Sequence, residues 1–235
     1  MRKLILASLA LGLTVSVTSA DARQPRDLRP YADPGQVIAT ERAFARMARE
    51  KGTWTAFRAY ATKDALWPGP ALENVHRALK GVPDPAKPVL WGPDAAWSSC
   101  DGSFVVTTGE AAYPSGRKGR ILTVWQRQDN GEYRWVLYQG FESAGGAIDP
   151  ETIRARVAEC ANGPRPKRQV RRGEAWGNES SSDATLSWET AITACGRTAS
   201  VWIATSERDR MEEVFRRTAP PPAATAGQPT PRCVG

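Results

Sequence analysis

Apolar residues recur every three to four positions in the first third of the chain, as on the buried side of an amphipathic helix. Asp33 followed by proline is a typical helix start, and we predict three consecutive helices. They cover residues 34–51, 53–64 and 71–79. The first helix carries one acidic residue, Glu41, inside its apolar stripe, and the second places Tyr60 and Asp64 one turn apart.

Beyond residue 88 the pattern changes to the alternation that is typical of strands. The predicted strands cover residues 89–91, 95–99, 104–113, 120–128 and 133–142. The last two are joined by Asp129-Asn130-Gly131-Glu132, a strong hairpin signal. Alternation in this hairpin places Trp125 and Tyr138 on one face, and Trp135 with Leu137 on the other.

The last third of the chain reads as a helix, a linker and a small β unit. Asp149-Pro150 predicts a fourth helix that runs to about Cys160. A Pro- and Arg-rich linker over 161–179 follows, and short strands over 184–193, 198–206 and 211–218 predict a β unit within 180–218. The Pro-rich tail, 219–235, is predicted to be disordered.

The amino terminus has the pattern of a secretory signal peptide. Two basic residues precede a short apolar run, and small residues surround Ala20 and Ala22. We therefore predict cleavage after residues 1–22, a flexible lead-in over 23–33, and a periplasmic or secreted protein without a transmembrane anchor. A retained anchor is the alternative.

Composition and charge exclude several classes of protein. The chain has 32 Lys plus Arg against 25 Asp plus Glu, and 41% of its residues are hydrophobic. These values argue against a polytopic membrane protein and against a wholly disordered one. Five basic residues lie in the linker, between Arg165 and Arg172. In an exported protein we expect them to form a solvated linker, or to bind anionic lipid or polysaccharide, and we expect no nucleic-acid partner.

Four cysteines in an exported protein predict two disulfides. The four cysteines are Cys100, Cys160, Cys195 and Cys233. Three connectivities are open, and we favour Cys160–Cys195 with Cys100–Cys233. The chain has a single histidine, His76, and no zinc or nucleotide motif, so we predict no metal and no cofactor.

Several short motifs resemble the nuclear transport factor 2-like superfamily, in its SnoaL-like and ketosteroid-isomerase-like branch. They begin with Glu41-Arg42-Ala43-Phe44 and Trp54-Thr55-Ala56-Phe57, and they continue with Ser99-Cys100-Asp101-Gly102-Ser103 and Trp125-Gln126-Arg127-Gln128. The resemblance covers residues 34–143. It implies an α+β domain over 34–160, in which a curved antiparallel sheet wraps around helices to form a cone with one open pocket.

Relatives in that branch use the pocket for isomerisation, cyclisation or dehydration of small molecules, or only to bind a ligand or a partner. Catalysis there requires a carboxylate in an apolar setting and a hydrogen-bond donor. Our catalytic candidates are Asp64, Glu41, Tyr60 and Tyr138. Many relatives carry an acidic residue where this sequence has Tyr138, which weakens the case for proton abstraction from that strand. The predicted ligand-binding residues are Tyr60, Trp67, Trp91, Trp125, Tyr138 and Glu142.

Each candidate also has a structural interpretation. Glu41 on an apolar stripe is expected to pair with an arginine such as Arg127 or Arg134, because a lone buried charge is expensive. Asp64 at the end of a helix is expected to bind backbone N–H groups. The leading functional hypothesis is binding of a small apolar molecule in the cone. The alternatives are an isomerase, cyclase or dehydratase, and an interaction module. In the interaction module, the sheet or the basic linker contacts another envelope component or a second copy of the chain, which includes a homodimer through the sheet.

Overall fold

The computed structural model describes most of the chain between Ala32 and Pro220. The described residues are 32–68, 72–148, 150–160, 176–193, 196–207 and 210–220. The predicted signal peptide, most of the lead-in, most of the linker and nearly all of the tail lie outside these residues. Cys195 and Cys233 also lie outside them.

Three helices and twelve strands make up the described part of the fold. In chain order they are α1 (Pro34–Lys51), α2 (Thr53–Tyr60), β1 (Ala61–Pro68), β2 (Leu72–Asn74), α3 (Val75–Ala78), β3 (Leu90–Trp91), β4 (Ala95–Ser98), β5 (Phe104–Ala112), β6 (Lys118–Arg127), β7 (Tyr133–Glu142), β8 (Arg154–Val157), β9 (Trp176–Ser180), β10 (Leu186–Thr193), β11 (Gly196–Ala204) and β12 (Met211–Ala219). The prediction of α1 is confirmed, with Asp33 Oδ1 accepting a hydrogen bond from Gly35 N at 2.9 Å.

Of the described residues, 48% lie in strands and 18% in helices, so the fold is mostly β and the predicted α+β class is wrong. Instead of a cone of helices packed in a curved sheet with a small β appendage, the described residues form two sheets. The first has eight strands in the order β2-β1-β7-β6-β5-β4-β8, with β3 paired to β5. The second has four strands in the order β12-β11-β10-β9.

Three segments that were predicted as helical are strands in the structure. One is the start of the predicted third helix, because residues 72–74 form β2 and α3 begins only at Val75. The chain leaves α2 at Tyr60 and continues directly as β1, which pairs with β7 and β2. Residues 154–157, predicted as part of a helix, form β8 and pair in parallel with β4. All four residues of β8 are exposed. Pairing with a distant strand therefore decides the structure of this segment, whereas local helix-start signals do not.

The two faces of the first sheet are covered by different layers. Helices α1 and α2 pack on one face, where Val37, Phe44 and Phe57 join a single buried cluster. The second sheet packs on the outer face. The core between the two sheets contains Phe104, Val106, Leu122, Val124, Leu137, Leu186, Trp188, Val201, Ile203 and Phe215. Homodimerisation through the sheet stays a prediction, but this part of the outer face is already buried within one chain.

The second sheet repeats the first in sequence. Residues 99–103 and 181–185 share the pattern Ser-x-Asp-x-Ser/Thr, and both form the turn that leads into a long strand. Residues 119–125 and 196–202 share Gly-Arg-x-x-Thr/Ser-Val-Trp, and both form the next strand. Strands β9–β12 are therefore a second copy of the meander β4–β7.

The strand pairing repeats as well. Residue pairs between β9, β10 and β11 correspond to those between β4, β5 and β6. Both copies also have a register shift at the same place. In the first copy it follows Val124, and Val136 is the extra residue of β7. In the second copy it follows Val201, and Val214 is the extra residue of β12. Shared β-bulges are specific structural features, so the repeat is one of three-dimensional structure as well as of sequence.

The two repeated turns bind each other reciprocally. Asp101 N donates to Asp183 Oδ2 at 2.9 Å, and Asp183 N donates to Asp101 Oδ2 at 3.1 Å. Reciprocal contacts of this kind are typical of a twofold interface between identical subunits. The two sheets of this chain are thus packed about an approximate internal twofold axis.

The same bulge corrects the predicted face of Trp135. Because Val136 is an extra residue, Trp135 pairs with Trp125 and joins the helix-covered cluster that contains Tyr138. Leu137 faces the second sheet. Strict alternation had placed Trp135 and Leu137 on the same face.

One disulfide is present among the described residues, and it joins Cys100 to Cys160. The favoured pairings of Cys160 with Cys195 and of Cys100 with Cys233 are therefore wrong. The bond ties the β4–β5 turn to the segment after β8, which keeps this edge of the first sheet in place. No helix in the described part of the chain is long and apolar enough to cross a membrane.

Candidate functional site

A groove of about 570 Å³ lies between the two sheets. One wall is the β1 segment Thr62–Asp64, and the other is the β9 segment Gly177–Glu179. Its floor contains Leu66, Val136 and Trp188. A concave site with an apolar floor and a few polar groups is the usual form of a ligand pocket.

The first wall exists because β1 departs from regular pairing. Ala61 pairs with Trp135 and Leu66 with Leu137, so the four intervening residues of β1 oppose only Val136. Three of the surplus residues, Thr62–Asp64, line the groove, whereas Ala65 is buried in the helix-covered cluster. Hydrogen bonds hold the bulge, since Asn74 Nδ2 donates to Lys63 O at 2.7 Å and His76 Nε2 lies 3.0 Å from Thr62 O. His76 thus has a structural role.

Close packing sets the distance between the two walls. A Cβ atom at Gly177 would lie 2.8 Å from Leu66 Cδ1 and 3.5 Å from the Trp188 ring. The lack of a side chain at Gly177 therefore allows β9 to approach the floor. Trp188 is 3% exposed, and its Nε1 has no hydrogen-bond partner among the described residues.

Polar and charged groups line the rest of the groove. Gln126, Gln128, Asn178 and Glu179 contribute amides and a carboxylate. The Lys63 and Asp64 side chains are 91% and 83% exposed, with Nζ and Oδ2 3.9 Å apart. An ion pair this exposed contributes little to stability, so both groups remain accessible to a ligand.

Among the predicted site residues, Asp64 lines this groove. It is an exposed strand residue, and the predicted helical spacing from Tyr60 is lost because β1 begins at Ala61. Tyr60 is half-buried and packs against Phe44, with ring centroids 5.2 Å apart. Glu142 is exposed at the end of β7.

Glu41 lies on the other side of the first sheet and is completely buried. Its Oε1 accepts a hydrogen bond from Trp91 Nε1 at 2.7 Å. Its Oε2 accepts from Thr107 Oγ1 at 2.6 Å and from Trp125 Nε1 at 3.0 Å. The expected arginine partner is thus replaced by two indoles and a hydroxyl. Burial raises the pKa of Glu41, and these hydrogen bonds oppose the rise only in part.

Aromatic side chains fill the space around Glu41. Phe44 contacts Phe57 and Trp91 edge to face, with ring centroids 4.9 and 4.8 Å apart. These three rings and Trp125 are each at most 2% exposed. The predicted pocket walls Trp91 and Trp125 are therefore packed as core residues, and they hold Glu41 by their N–H groups.

Tyr138 and Trp67 belong to the same packed cluster. Their rings are stacked, with centroids 5.9 Å apart and an interplanar angle of 8°. Burial raises the pKa of Tyr138 well above its ordinary value, with smaller contributions from Tyr113 and Glu41. Trp67 is half-buried, so this pair lies nearer to the surface than Glu41 does.

The groove residues on the second sheet were missed from the sequence. Asn178 and Glu179 were assigned to the linker, and Trp188 to a separate β unit. The repeated Ser-x-Asp-x-Ser/Thr and Gly-Arg-x-x-Thr/Ser-Val-Trp patterns were the signal that predicts a second sheet packed on the first.

Comparison of the chain with protein-family models, with curated proteins and with solved structures finds no match. The SnoaL-like resemblance therefore stays a prediction from the residues of this chain.

Proposed function

We propose that this protein is an exported ligand-binding protein, and that its ligand binds in the groove between the two sheets. The observation that carries the proposal is the groove itself, which joins an apolar floor at Trp188 to accessible polar groups at Asp64 and Asn178. The predicted signal peptide and the Cys100–Cys160 disulfide support export to an oxidising compartment.

The groove is a better site than the helix-covered side of the sheet. That side is packed by aromatic rings around Glu41, which is 0% exposed. A catalytic carboxylate must reach its substrate within hydrogen-bond distance, and Glu41 has three hydrogen-bond donors of its own and no access to solvent. We therefore favour ligand binding over isomerase, cyclase or dehydratase activity, and we expect a more polar ligand than the cone hypothesis predicted.

The proposal is tested by native mass spectrometry of the protein purified from the envelope fraction. Thr62→Trp fills the groove from β1, and Thr218→Trp places the same side chain on an exposed position of β12. We expect a retained ligand mass in the wild-type protein and in T218W, and its loss from T62W. Absence of any retained mass from the wild-type protein, or retention of that mass by T62W, would contradict the proposal.

A further inference from the structure

We propose that the open edge of β9 binds an extended peptide, which adds to the second sheet as a parallel strand and lies in the groove. The inference rests on the proposed function and names the class of ligand. Strand β9 is the edge strand of the second sheet as the structure describes it. Edge strands present unpaired backbone groups that a partner strand can bind.

The internal repeat shows how such a strand binds. Strand β9 is the second copy of β4, and β4 already carries an added parallel strand, β8. Arg154 N donates to Asp94 O at 3.0 Å, and Ala158 N donates to Ser98 O at 2.8 Å. The first sheet thus binds four exposed residues of its own chain at the edge that, among the described residues, has no partner strand in the second sheet.

The repeat also shows which groups of β9 face outward. Ser181 N donates to Leu186 O at 2.8 Å, as Ser99 N donates to Phe104 O at 2.9 Å in the first copy. Backbone groups of a strand point alternately to its two sides. Asn178 and Ser180 therefore direct their N–H and C=O groups away from β10, as their counterparts in β4 direct theirs to β8.

The groove lies at this edge. Asn178 lines the groove and is the counterpart of Ala96, which pairs with Ala155 of β8. The groove therefore occupies the position beside β9 that β8 occupies beside β4. An extended peptide placed there has its backbone at Asn178 and alternate side chains towards the floor and towards solvent.

The first copy of the repeat also supplies a peptide that pairs in this way. Strand β8 adds to β4 in parallel, and in its sequence Arg154 and Arg156 alternate with small and apolar residues. A synthetic peptide of residues 152–159, TIRARVAE, is therefore the probe.

Binding of the fluorescently labelled peptide is measured by anisotropy with the full chain. Asn178→Pro removes the outward N–H of β9 and is compatible with an edge strand. Asn178→Ala removes the side chain and keeps the N–H, so it is the matched control. N178A reports the loss of the side-chain amide alone, and we expect N178P to weaken binding about tenfold or more and at least about threefold more than N178A does.

Amide hydrogen exchange gives a second readout that a general loss of structure would not imitate. Addition of the peptide is expected to slow exchange at Asn178 and Ser180, while Glu179, which bonds β10, changes little. Thermal unfolding by circular dichroism checks that N178P is folded.

Three results would overturn the inference. They are no binding of TIRARVAE, equal loss of binding in N178A and N178P, and protection of the Asn178 and Ser180 amides before peptide is added. If T62W still loses the ligand mass that the wild-type protein retains, the groove remains the site and only the strand-addition inference fails.

Discussion

Glu41→Gln tests two properties of the buried carboxyl group. The first is its role as a hydrogen-bond acceptor in the core, and the second is its higher pKa in the folded protein than in the unfolded chain. The substitution preserves the shape of the side chain and replaces one carboxyl oxygen by an amide nitrogen. Glu41 accepts from Trp91 on one oxygen, and from Thr107 and Trp125 on the other. An amide nitrogen cannot accept a hydrogen bond, and each carboxyl oxygen of Glu41 accepts one from an indole N–H. In the glutamine variant, at least one indole N–H group therefore faces the amide NH₂ group, which is also a donor.

The magnitude follows from the contacts. A buried donor that loses its acceptor costs about 1–3 kcal/mol. Trp125 Nε1 has a second acceptor in Thr107 Oγ1 at 3.0 Å, which limits the loss on that side. We therefore expect Glu41→Gln to lower the free energy of unfolding by about 1–3 kcal/mol at acidic pH.

The pH dependence has a definite sign. Burial raises the pKa of Glu41 above its ordinary value of 4.5, so the folded protein binds this proton more tightly than the unfolded chain does. The contribution of Glu41 to stability is then fully present below pH 4.5 and is lost as the pH rises through the folded-state pKa. The variant has no such group, so the stability difference between wild type and E41Q is expected to shrink as the pH rises.

Urea unfolding at a series of pH values, followed by far-UV circular dichroism, measures this difference. Glu50→Gln changes an exposed glutamate of the same helix and is the matched control, with an expected effect below about 0.5 kcal/mol at every pH. A difference between wild type and E41Q that widens with rising pH would refute the reasoning, because it would mean that the folded state favours ionised Glu41.

Two further predictions follow from the cysteine pairing and from the repeat. Cys100 and Cys160 are already joined, so a second disulfide would have to join Cys195 to Cys233. We expect non-reducing peptide mapping to find this linked pair, and free thiols at both positions would contradict the prediction. Ala184 has φ 57°, a backbone conformation that suits glycine better than alanine. Ala184→Gly is therefore expected to raise the free energy of unfolding, measured by urea denaturation, by about 1 kcal/mol. An unchanged or lower free energy of unfolding would count against strain at this turn.

The candidate site was only partly predictable from the sequence. Asp64 is a functional candidate from the sequence and does line the groove, but the helical pattern predicts it one turn from Tyr60 on a helix, whereas it lies on β1. Glu41 was singled out correctly as a buried acid, whereas its partners Trp91 and Trp125 come from strands far along the chain. A pattern in one segment cannot specify which distant donors will meet it.

Some features of this protein follow from the sequence alone. Asp33 and the following proline begin α1, because they satisfy backbone groups and fix backbone angles within a few residues. The Asn130-Gly131 turn joins β6 to β7, with Gly131 at φ +82°, for the same local reason. Such short-range signals are present in the chain before any tertiary contact forms.

Tertiary structure decided the rest. Residues 154–157 became a strand because the edge of β4 was available to pair with them. Trp135 changed face because one extra residue, Val136, fits the bulge of β7. The groove exists because a second copy of the meander packs on the first, with Asp101 and Asp183 binding each other. Strand β8 and the groove depend on groups that are far apart in the sequence, and the contacts between the two sheets contribute free energy only when the sheets come together.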